Sequence, residues 1–352
     1  MFTKIKIAAK KLRYEIKSLK KRKYGNFFQF RKGFSKVVVG LNGIDKTNYK
    51  NYLSDRAYYN GHPWNGFYTG IIDCKLYLPY LLNSYKEYLP KTYFFKDKEG
   101  FLPIHDGKSI SSFNLKTRYN SKEIVEFLKS NKETVFKHTH YSAGKGFHLI
   151  SFVNGKFFLD NSVKEEEEIL SFLDSLDKYI LQEKIVQAKY SSDIYSGSVN
   201  TIRLICAWNP QKESFEIIQS IHRFGSHGSL VDNLGTGKGV VLHIDTQTGT
   251  LSDSGGITEN KKLQYLKNTL IKHPDTGKVL TGLIIPNFEF IRDKILEISN
   301  SISFLKYIGW DIAITSDGFK IIETNSLSSF ELLNQKNGFL EEEWLKNLFA
   351  NK

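Results

Sequence analysis

Residues 309–325, with the sequence GWDIAITSDGFKIIETN, constrain the fold more than any other part of the chain. Two apolar runs flank the letters SDG, which is typical of an antiparallel β-hairpin with a three-residue loop. If Thr315 faces Phe319 across that loop, counting outward places Asp311 opposite Glu323, with Cβ atoms roughly 4.5–5.5 Å apart. A two-residue turn would break this alignment.

The same hairpin predicts a metal site. Asn325 follows on the face that carries Asp311 and Glu323. Two carboxylates and an amide oxygen among apolar strand residues would repel and lack solvation unless a cation lay between them. Oxygen ligands without His or Cys favour Mg²⁺, with Mn²⁺ as the alternative ion. The competing interpretation is an ordinary hairpin whose acids face solvent.

Length and composition favour a multi-lobed cytoplasmic protein. A chain of 352 residues exceeds the size at which one hydrophobic core keeps growing, so we expect two or three lobes. No run of about 20 apolar residues is present to cross a bilayer. Cys74 and Cys206 lie far apart, which excludes a disulfide framework or a thiolate zinc site. Lys and Arg interrupt the N-terminus throughout, unlike a secretory signal.

The positive charge is concentrated at the N-terminus. Residues 1–36 hold 13 Lys and Arg against Glu15 alone, which accounts for +12 of the net +13. The rest of the chain is nearly neutral, so we expect no nucleic-acid partner. Apolar residues recur at helical steps in this segment and predict a basic amphipathic helix on an anionic membrane surface. A solvated helix packed on its own domain is the alternative.

The remaining pattern predicts an α+β fold. Residues 37–125 are rich in aromatic residues and turn signals, which indicates a small mixed lobe. Residues 198–208 and 215–224 alternate in a way that favours antiparallel pairing in one sheet. Further strands are predicted at 133–137, 148–153, 156–159 and 179–183, and helices at 121–128, 163–176 and 286–308. Antiparallel sheets with separate helices are typical of α+β proteins.

Several segments together resemble the sugar-transfer-associated ATP-grasp family, which is found with bacterial surface-polysaccharide genes. The Trp-Asp to Glu-Thr-Asn spacing inside residues 309–325 is the specific part of this resemblance. The other segments are residues 198–203 (SVNTIR), Arg223 with Gly225, Asp232 with Asn233, and residues 273–277 (HPDTG). The resemblance covers roughly residues 60–340, so the basic N-terminus lies outside it.

The resemblance implies the ATP-grasp fold, in which two α+β lobes grip ATP between antiparallel sheets. We expect four parts along the chain. These are the N-terminal helix at 1–36, a mixed lobe at 37–125, the small lobe with glycine loop and adenine hinge at 126–186, and the large lobe with the metal site at 187–352.

Phosphate-binding residues follow from the same resemblance. Lys137, at the end of its strand, matches the lysine that touches the nucleotide phosphates, although taken alone it is more often a surface lysine. The loop that follows would fold over the phosphates and donate backbone N–H groups, which glycine permits. Its implied contacts are Ser142, Gly144, Lys145 and Gly146.

Residues 181–185 resemble the hinge that holds adenine, with Gln182, Glu183 and Ile185 as the implied contacts. A plain edge strand is the alternative.

Basic strand residues and one loop complete the implied site. Arg203 and Arg223 would meet the phosphate or acyl-phosphate oxygens as catalytic groups together with Lys137, or else form structural ion pairs. Asn233 would line the phosphate or acceptor pocket, or lie in a plain connector. His273 would contact substrate or simply set a turn.

The implied function is an ATP- and Mg²⁺-dependent ligase that activates a carboxylate as an acyl phosphate and joins it to an amine. One substrate is expected to belong to a sugar of a capsule or other surface polysaccharide. The N-terminus would add peripheral contact with the inner face of the membrane. The alternatives are an ATP-dependent phosphotransferase acting on a sugar hydroxyl, and a non-catalytic membrane or polyanion adaptor.

Overall fold

The computed structural model describes residues 25–104, 118–141, 144–233, 238–259, 262–266, 268–328, 340 and 342–350. The predicted basic N-terminal helix therefore lies outside the described residues up to residue 24, and Ser142 also lies outside them. From residue 25 onward, the predicted segment contains one short helix, Phe27–Lys32.

Ten α-helices and fourteen strands lie in the described residues. The helices are α1 (Phe27–Lys32), α2 (Lys36–Asn42), α3 (Asp55–Gly61), α4 (Thr69–Ile72), α5 (Leu78–Leu81), α6 (Ser121–Asn131), α7 (Glu166–Ser175), α8 (Lys189–Ser192), α9 (Phe288–Ser301) and α10 (Glu343–Ala350). Short 3-10 helices cover Tyr49–Asn51, Gly66–Tyr68, Lys75–Tyr77 and Asn83–Tyr88.

The strands form two sheets. They are β1 (Thr92–Asp97), β2 (Gly100–Pro103), β3 (Glu133–His138), β4 (Phe147–Val153), β5 (Lys156–Leu159), β6 (Ser162–Lys164), β7 (Tyr179–Glu183), β8 (Thr201–Asn209), β9 (Ser214–Phe224), β10 (Gly239–Ile244), β11 (Leu251–Glu259), β12 (Lys262–Leu266), β13 (Tyr307–Thr315) and β14 (Gly318–Asn325).

The first sheet has the order β2-β1-β7-β3-β4-β5-β6, and every pairing is antiparallel. Helices α6 and α7 pack together on one face, where Phe136, Ile150 and Leu173 belong to a common core. Asn120 caps α6 by accepting a hydrogen bond from the Glu123 backbone N–H. This sheet includes β1 and β2 from the predicted 37–125 lobe, while the boundary at residue 125 stays a prediction.

The second sheet has the order β12-β11-β10-β9-β8-β13-β14 and is also antiparallel throughout. Helix α9 packs against one face, where Trp310 and Ile312 of β13 lie fully buried in a large apolar core. Helix α9 ends at Ser301 instead of residue 308, because the chain has to turn before β13 begins at Tyr307. The predicted α+β class with antiparallel sheets is confirmed.

Residues 25–66 cover part of the opposite face of the second sheet. Tyr58 and Trp64 form an apolar cluster with Tyr307 of β13 and with Phe349 of α10. Asn65 accepts hydrogen bonds from the backbone N–H groups of Lys306 and Tyr307 and donates to the Tyr307 carbonyl. These contacts fix the start of β13 against residues 25–66.

The predicted three-residue hairpin loop is wrong, yet the predicted alignment is correct. Thr315 pairs with Gly318, so the turn contains two residues. The register then shifts between Asp311 and Ile312, and the extra residue on the partner strand is Ile322. This β-bulge cancels the one-residue error from the turn and restores Asp311 opposite Glu323.

Candidate active site

A cavity of about 640 Å³ lies between the two sheets. Its apolar walls include Val135 and Leu149 from the first sheet and Ile322 from the second. The β-bulge in β14 turns both Ile322 and the adjacent Glu323 toward this cavity. The predicted site residues that line it are Lys137, Gly144, Lys145, Gly146, Glu183, Ile185, Arg223, Asn233, Asp311 and Glu323.

Of the predicted catalytic, nucleotide-binding and metal-binding residues that the structure describes, Arg203, Asn325 and Gln182 do not line the cavity. Arg203 lies behind Asp311, and Asn325 donates to an Asp311 carboxylate oxygen at 3.3 Å. Gln182 is buried in the first sheet, where its amide nitrogen donates to Thr92 Oγ1 at 2.9 Å. Contact between Gln182 and a nucleotide in the cavity would therefore need its backbone or a rearranged side chain.

Asp311 is held by two arginines. Arg203, directly opposite it on β8, donates through Nε and Nη2 to the two carboxylate oxygens, each at 2.6 Å. Arg223 on β9 approaches Oδ2 to 3.1 Å. Burial alone would raise the pKa of Asp311, but the two guanidinium charges outweigh it and hold the pKa well below its ordinary value. Asp311 is therefore a buried carboxylate at neutral pH.

The structural ion pair that sequence reasoning left as the alternative for Arg203 is thus present. Its guanidinium is almost fully buried, and the charge of Asp311 raises its pKa against the opposing effect of burial. A catalytic role for Arg203 stays a prediction.

Arg223 is oriented by two residues that were not among the predicted ligands. Its Nε donates to Thr201 Oγ1 at 3.0 Å and lies 3.5 Å from Asp232 Oδ2. Asp232 also accepts from the Thr201 backbone N–H at 2.9 Å. Burial raises the pKa of Asp232, an effect that Arg223 partly opposes. Thr201 pairs with Arg223 in the register of β8 and β9. The predicted antiparallel pairing of these two strands was therefore the sequence signal that could have identified Thr201.

Glu323 contacts a lysine that the sequence did not reveal. Lys75 Nζ lies 3.0 Å from Glu323 Oε2 and donates to the Tyr141 carbonyl at 2.8 Å. Lys75 lies in a segment of short helices far from any recognised motif, so only the tertiary fold brings it into the site. It also lines the cavity.

Lys137 lies at the end of β3 and faces the same cavity. Removal from water lowers the pKa of its ammonium to about 8, with a further lowering from the charge of Lys75 and a partial offset from Glu323. Lys137 thus places a buried cation on the cavity wall, where a bound anion would stabilise its charged form.

The predicted ligand set fits a divalent cation in its chemistry. Asp311, Glu323 and Asn325 offer hard oxygen donors side by side. Arg203, Arg223 and Asn325 all approach Asp311 Oδ2, whereas Oδ1 accepts from Arg203 Nε and keeps a second acceptor site. Among the described residues, no group of three or more His, Cys, Asp or Glu side chains could hold a metal. A cation here would need Asn325 together with water or phosphate oxygens, and the metal role stays a prediction.

The predicted adenine hinge is an interior strand. Strand β7 lies between β1 and β3, which excludes the edge-strand alternative. The Glu183 carboxylate accepts from the Lys91 backbone N–H at 2.9 Å, so its side chain is already engaged. Ile185, just beyond the strand, lines the cavity. The nucleotide-binding roles of these residues stay predictions.

His273 sets a turn, as one of its two interpretations proposed. It is buried, its Nε2 lies 2.7 Å from the Gly225 carbonyl oxygen, and its Nδ1 receives the backbone N–H of Asp275 at 3.3 Å.

Residues 72–347 match the sugar-transfer-associated ATP-grasp family, and the chain belongs to this family. The family match confirms the resemblance seen in the sequence and, with the two antiparallel sheets, the ATP-grasp fold. A search among curated proteins finds no match for the sequence.

Similar solved structures are ligases of low sequence identity. D-alanine–D-alanine ligase from Bacillus anthracis is 11% identical with a TM-score of 0.41, and the alignment covers 80% of this chain and 68% of that one. The VanG D-Ala:D-Ser ligase from Enterococcus faecalis is 12% identical with a TM-score of 0.39, at 79% and 62% coverage. The ATP-grasp ligase PsnB, complexed with minimal precursor, Mg and ADP, is 12% identical with a TM-score of 0.37. The alignment covers 82% of this chain but only 61% of PsnB.

In the part of the chain that the structure describes, no helix combines the length and apolar character needed to cross a bilayer.

Replacing Asp311 by Asn should destabilise the fold. The variant leaves Arg203 and Arg223 as two buried like charges without their shared partner, and breaking a buried ion pair in this way costs about 3–5 kcal/mol. Urea denaturation at pH 7 measures the free energy of unfolding. Glu126→Gln is the control, because its exposed pair with Lys129 contributes little to stability and the variant should unfold at nearly the wild-type urea concentration. Equal stability of Asp311→Asn and wild type would contradict the buried network.

Nucleotide affinity should depend on pH through Lys137. The free protein carries this charge below pH 8 and loses it as the pH rises through about 8, whereas bound phosphates would keep the ammonium protonated. The affinity for a non-hydrolysable Mg-ATP analogue should therefore fall above pH 8, by up to about tenfold per unit. Calorimetric titration between pH 7 and 9.5 tests this. Lys137→Met should bind more weakly and lose this slope; an unchanged slope would show that another group titrates.

Proposed function

We propose that the protein is an ATP- and Mg²⁺-dependent ligase that activates a carboxylate as an acyl phosphate and joins it to an amine. The observation that best supports this proposal is the arrangement of charged side chains at one end of the cavity between the sheets. Three basic side chains line that end of the cavity, a fourth lies behind Asp311, and together they face three carboxylates; the walls beyond are apolar. The basic side chains are Lys75, Lys137, Arg203 and Arg223; the acids are Asp232, Asp311 and Glu323.

This arrangement suits a nucleoside triphosphate. Apolar side chains from Val135, Leu149 and Ile185 form walls that accommodate a flat base. Lys137 and Arg223, at the polar end, would neutralise the phosphates. A divalent cation held by Glu323, Asn325 and Asp311 would add charge neutralisation at the transferred phosphoryl group.

The reaction needs activation because a free carboxylate has no leaving group for attack by an amine. A carboxylate oxygen attacks the γ-phosphorus, the bond to the bridging oxygen breaks, and ADP leaves. The amine nitrogen then attacks the acyl carbon, inorganic phosphate leaves, and the nitrogen loses a proton as the amide forms. Lys137 and Arg223 would hold the phosphoryl oxygens throughout and stabilise their charge.

The glycine loop after β3 would shield such an intermediate from water, and the geometry of Gly144 and Gly146 supports this role. Gly144 and Gly146 both have positive φ angles, 73° and 64°. A Cβ at Gly144 would lie 2.9 Å from Val231 Cγ2, and one at Gly146 would lie 2.9 Å from His138 Cβ. Gly144 and Gly146 thus pack closely between the first sheet and the segment that holds Asp232. Closure of this kind protects acyl phosphates from hydrolysis.

The family to which the chain belongs supports a sugar-linked acid or amine as substrate, for a capsule or another surface polysaccharide. We further propose a cytoplasmic location with peripheral membrane contact through the basic residues 1–36, on the charge of that segment alone. A phosphotransferase acting on a sugar hydroxyl would use the same site. The two reactions differ in product, because hydroxylamine converts an acyl phosphate to a hydroxamate and leaves a sugar phosphate unchanged.

Glu323→Gln should abolish turnover while the fold survives. The variant removes a charge at the transferred phosphoryl group but little volume, and we expect acceptor-dependent ADP release and hydroxamate formation to fall about 100-fold or more. A coupled ADP assay with hydroxylamine measures both products. Glu213→Gln, at an exposed turn, is the matched control and should retain wild-type rates. Wild-type rates in Glu323→Gln would refute the assignment, and ADP release without hydroxamate would favour the phosphotransferase.

A further inference from the structure

Residues 72–75, here called the strap, connect the hairpin β13–β14 to the loop after β3. On the hairpin side, Thr324 donates its hydroxyl to the Ile72 carbonyl at 2.6 Å, and the Ser326 backbone N–H donates to Asp73 at 2.8 Å. On the other side, the Lys75 backbone N–H donates to the Thr139 carbonyl at 3.0 Å. The strap therefore fixes the Lys75 backbone relative to both sheets.

The Lys75 side chain also joins the hairpin to the loop after β3, through its ammonium group. Its ammonium lies 3.0 Å from Glu323 Oε2 and donates to the Tyr141 carbonyl at 2.8 Å. An ammonium has three donors, so one remains for a group in the cavity that Lys75 lines. The side chain is only 13% exposed, and Glu323 is 21% exposed, so solvent screens this pair only partly.

A divalent cation on Glu323 would meet the Lys75 ammonium on the same carboxylate. The two positive charges would lie within a few ångströms of each other, which is unfavourable in a partly buried site. Triphosphate in the cavity would offer the ammonium a second anionic partner near its present position. A lysine stem can move its charge by rotation of single bonds while the strap stays in place.

We propose that Lys75 is an exchangeable cation: it neutralises Glu323 before nucleotide binds, and it transfers to the phosphates when a divalent ion takes the carboxylate. This inference rests on the metal and nucleotide functions proposed above. It assigns Lys75 two opposite effects. In the absence of nucleotide Lys75 competes with the metal, and in the complete site it supports nucleotide binding.

Lys75→Met separates these effects, because Met keeps an unbranched stem without the charge. For the full chain without nucleotide, we expect Mn²⁺ to bind at least about fivefold more tightly than to wild type, measured by the electron paramagnetic resonance signal of free Mn²⁺. For a non-hydrolysable ATP analogue at saturating Mg²⁺, calorimetry should show binding at least about fivefold weaker. A residue that only maintained the fold would weaken both.

Two further variants test whether the effect on Mn²⁺ binding comes from the charge of Lys75. Lys75→Arg keeps the positive charge and should restore weak Mn²⁺ binding. Lys156→Met removes an exposed lysine of β5 that does not line the cavity and should leave Mn²⁺ affinity unchanged. Unchanged or weakened Mn²⁺ binding in Lys75→Met, with wild type binding both ligands, would overturn the exchange alone. Absence of Mn²⁺ and nucleotide binding in wild type would overturn the proposed function and the exchange with it.

Discussion

The bidentate ion pair between Arg203 and Asp311 is the interaction on which the cleft depends. The two residues face each other on adjacent strands, and both are almost fully buried. Neither charge has water to solvate it, so each is stable only in the presence of the other. Arg223 joins the same carboxylate from β9, so β9, β8 and β13 are tied together at one point. The pair fixes where Asp311 can present its remaining acceptor sites.

The four basic side chains around this pair outnumber the three carboxylates by one. Asp311 is engaged by two arginines and Glu323 by Lys75, so the acids do not neutralise all of the nearby bases. Lys137 then lies in a site that disfavours its charged form. A bound triphosphate would stabilise the charged form of Lys137. Without it, the same residues form an ordered site whose charges are not balanced.

The sequence predicts the face of the hairpin that carries Asp311 and Glu323, because side chains alternate with period two and a turn sets the register. It does not predict the bulge at Ile322, since no residue type there signals an extra backbone position. The actual loop is one residue shorter than predicted, and the bulge adds one residue to β14. The two differences cancel, so the predicted alignment of Asp311 with Glu323 is correct although the predicted loop is not. Lys75 is unpredictable from its neighbours, because its place depends on packing between segments more than 200 residues apart.

A crystal structure of the full chain with Mn²⁺ and a non-hydrolysable ATP analogue tests the central claim most directly. Mn²⁺ can be located by its anomalous scattering, and carboxylate or amide oxygens should lie about 2.0–2.3 Å from it. The account predicts at least one ion bound by Glu323 and Asn325 beside the phosphates, with Arg203 still paired to Asp311. Nucleotide bound without any ion at the hairpin, or these side chains turned away from the phosphates, would contradict it.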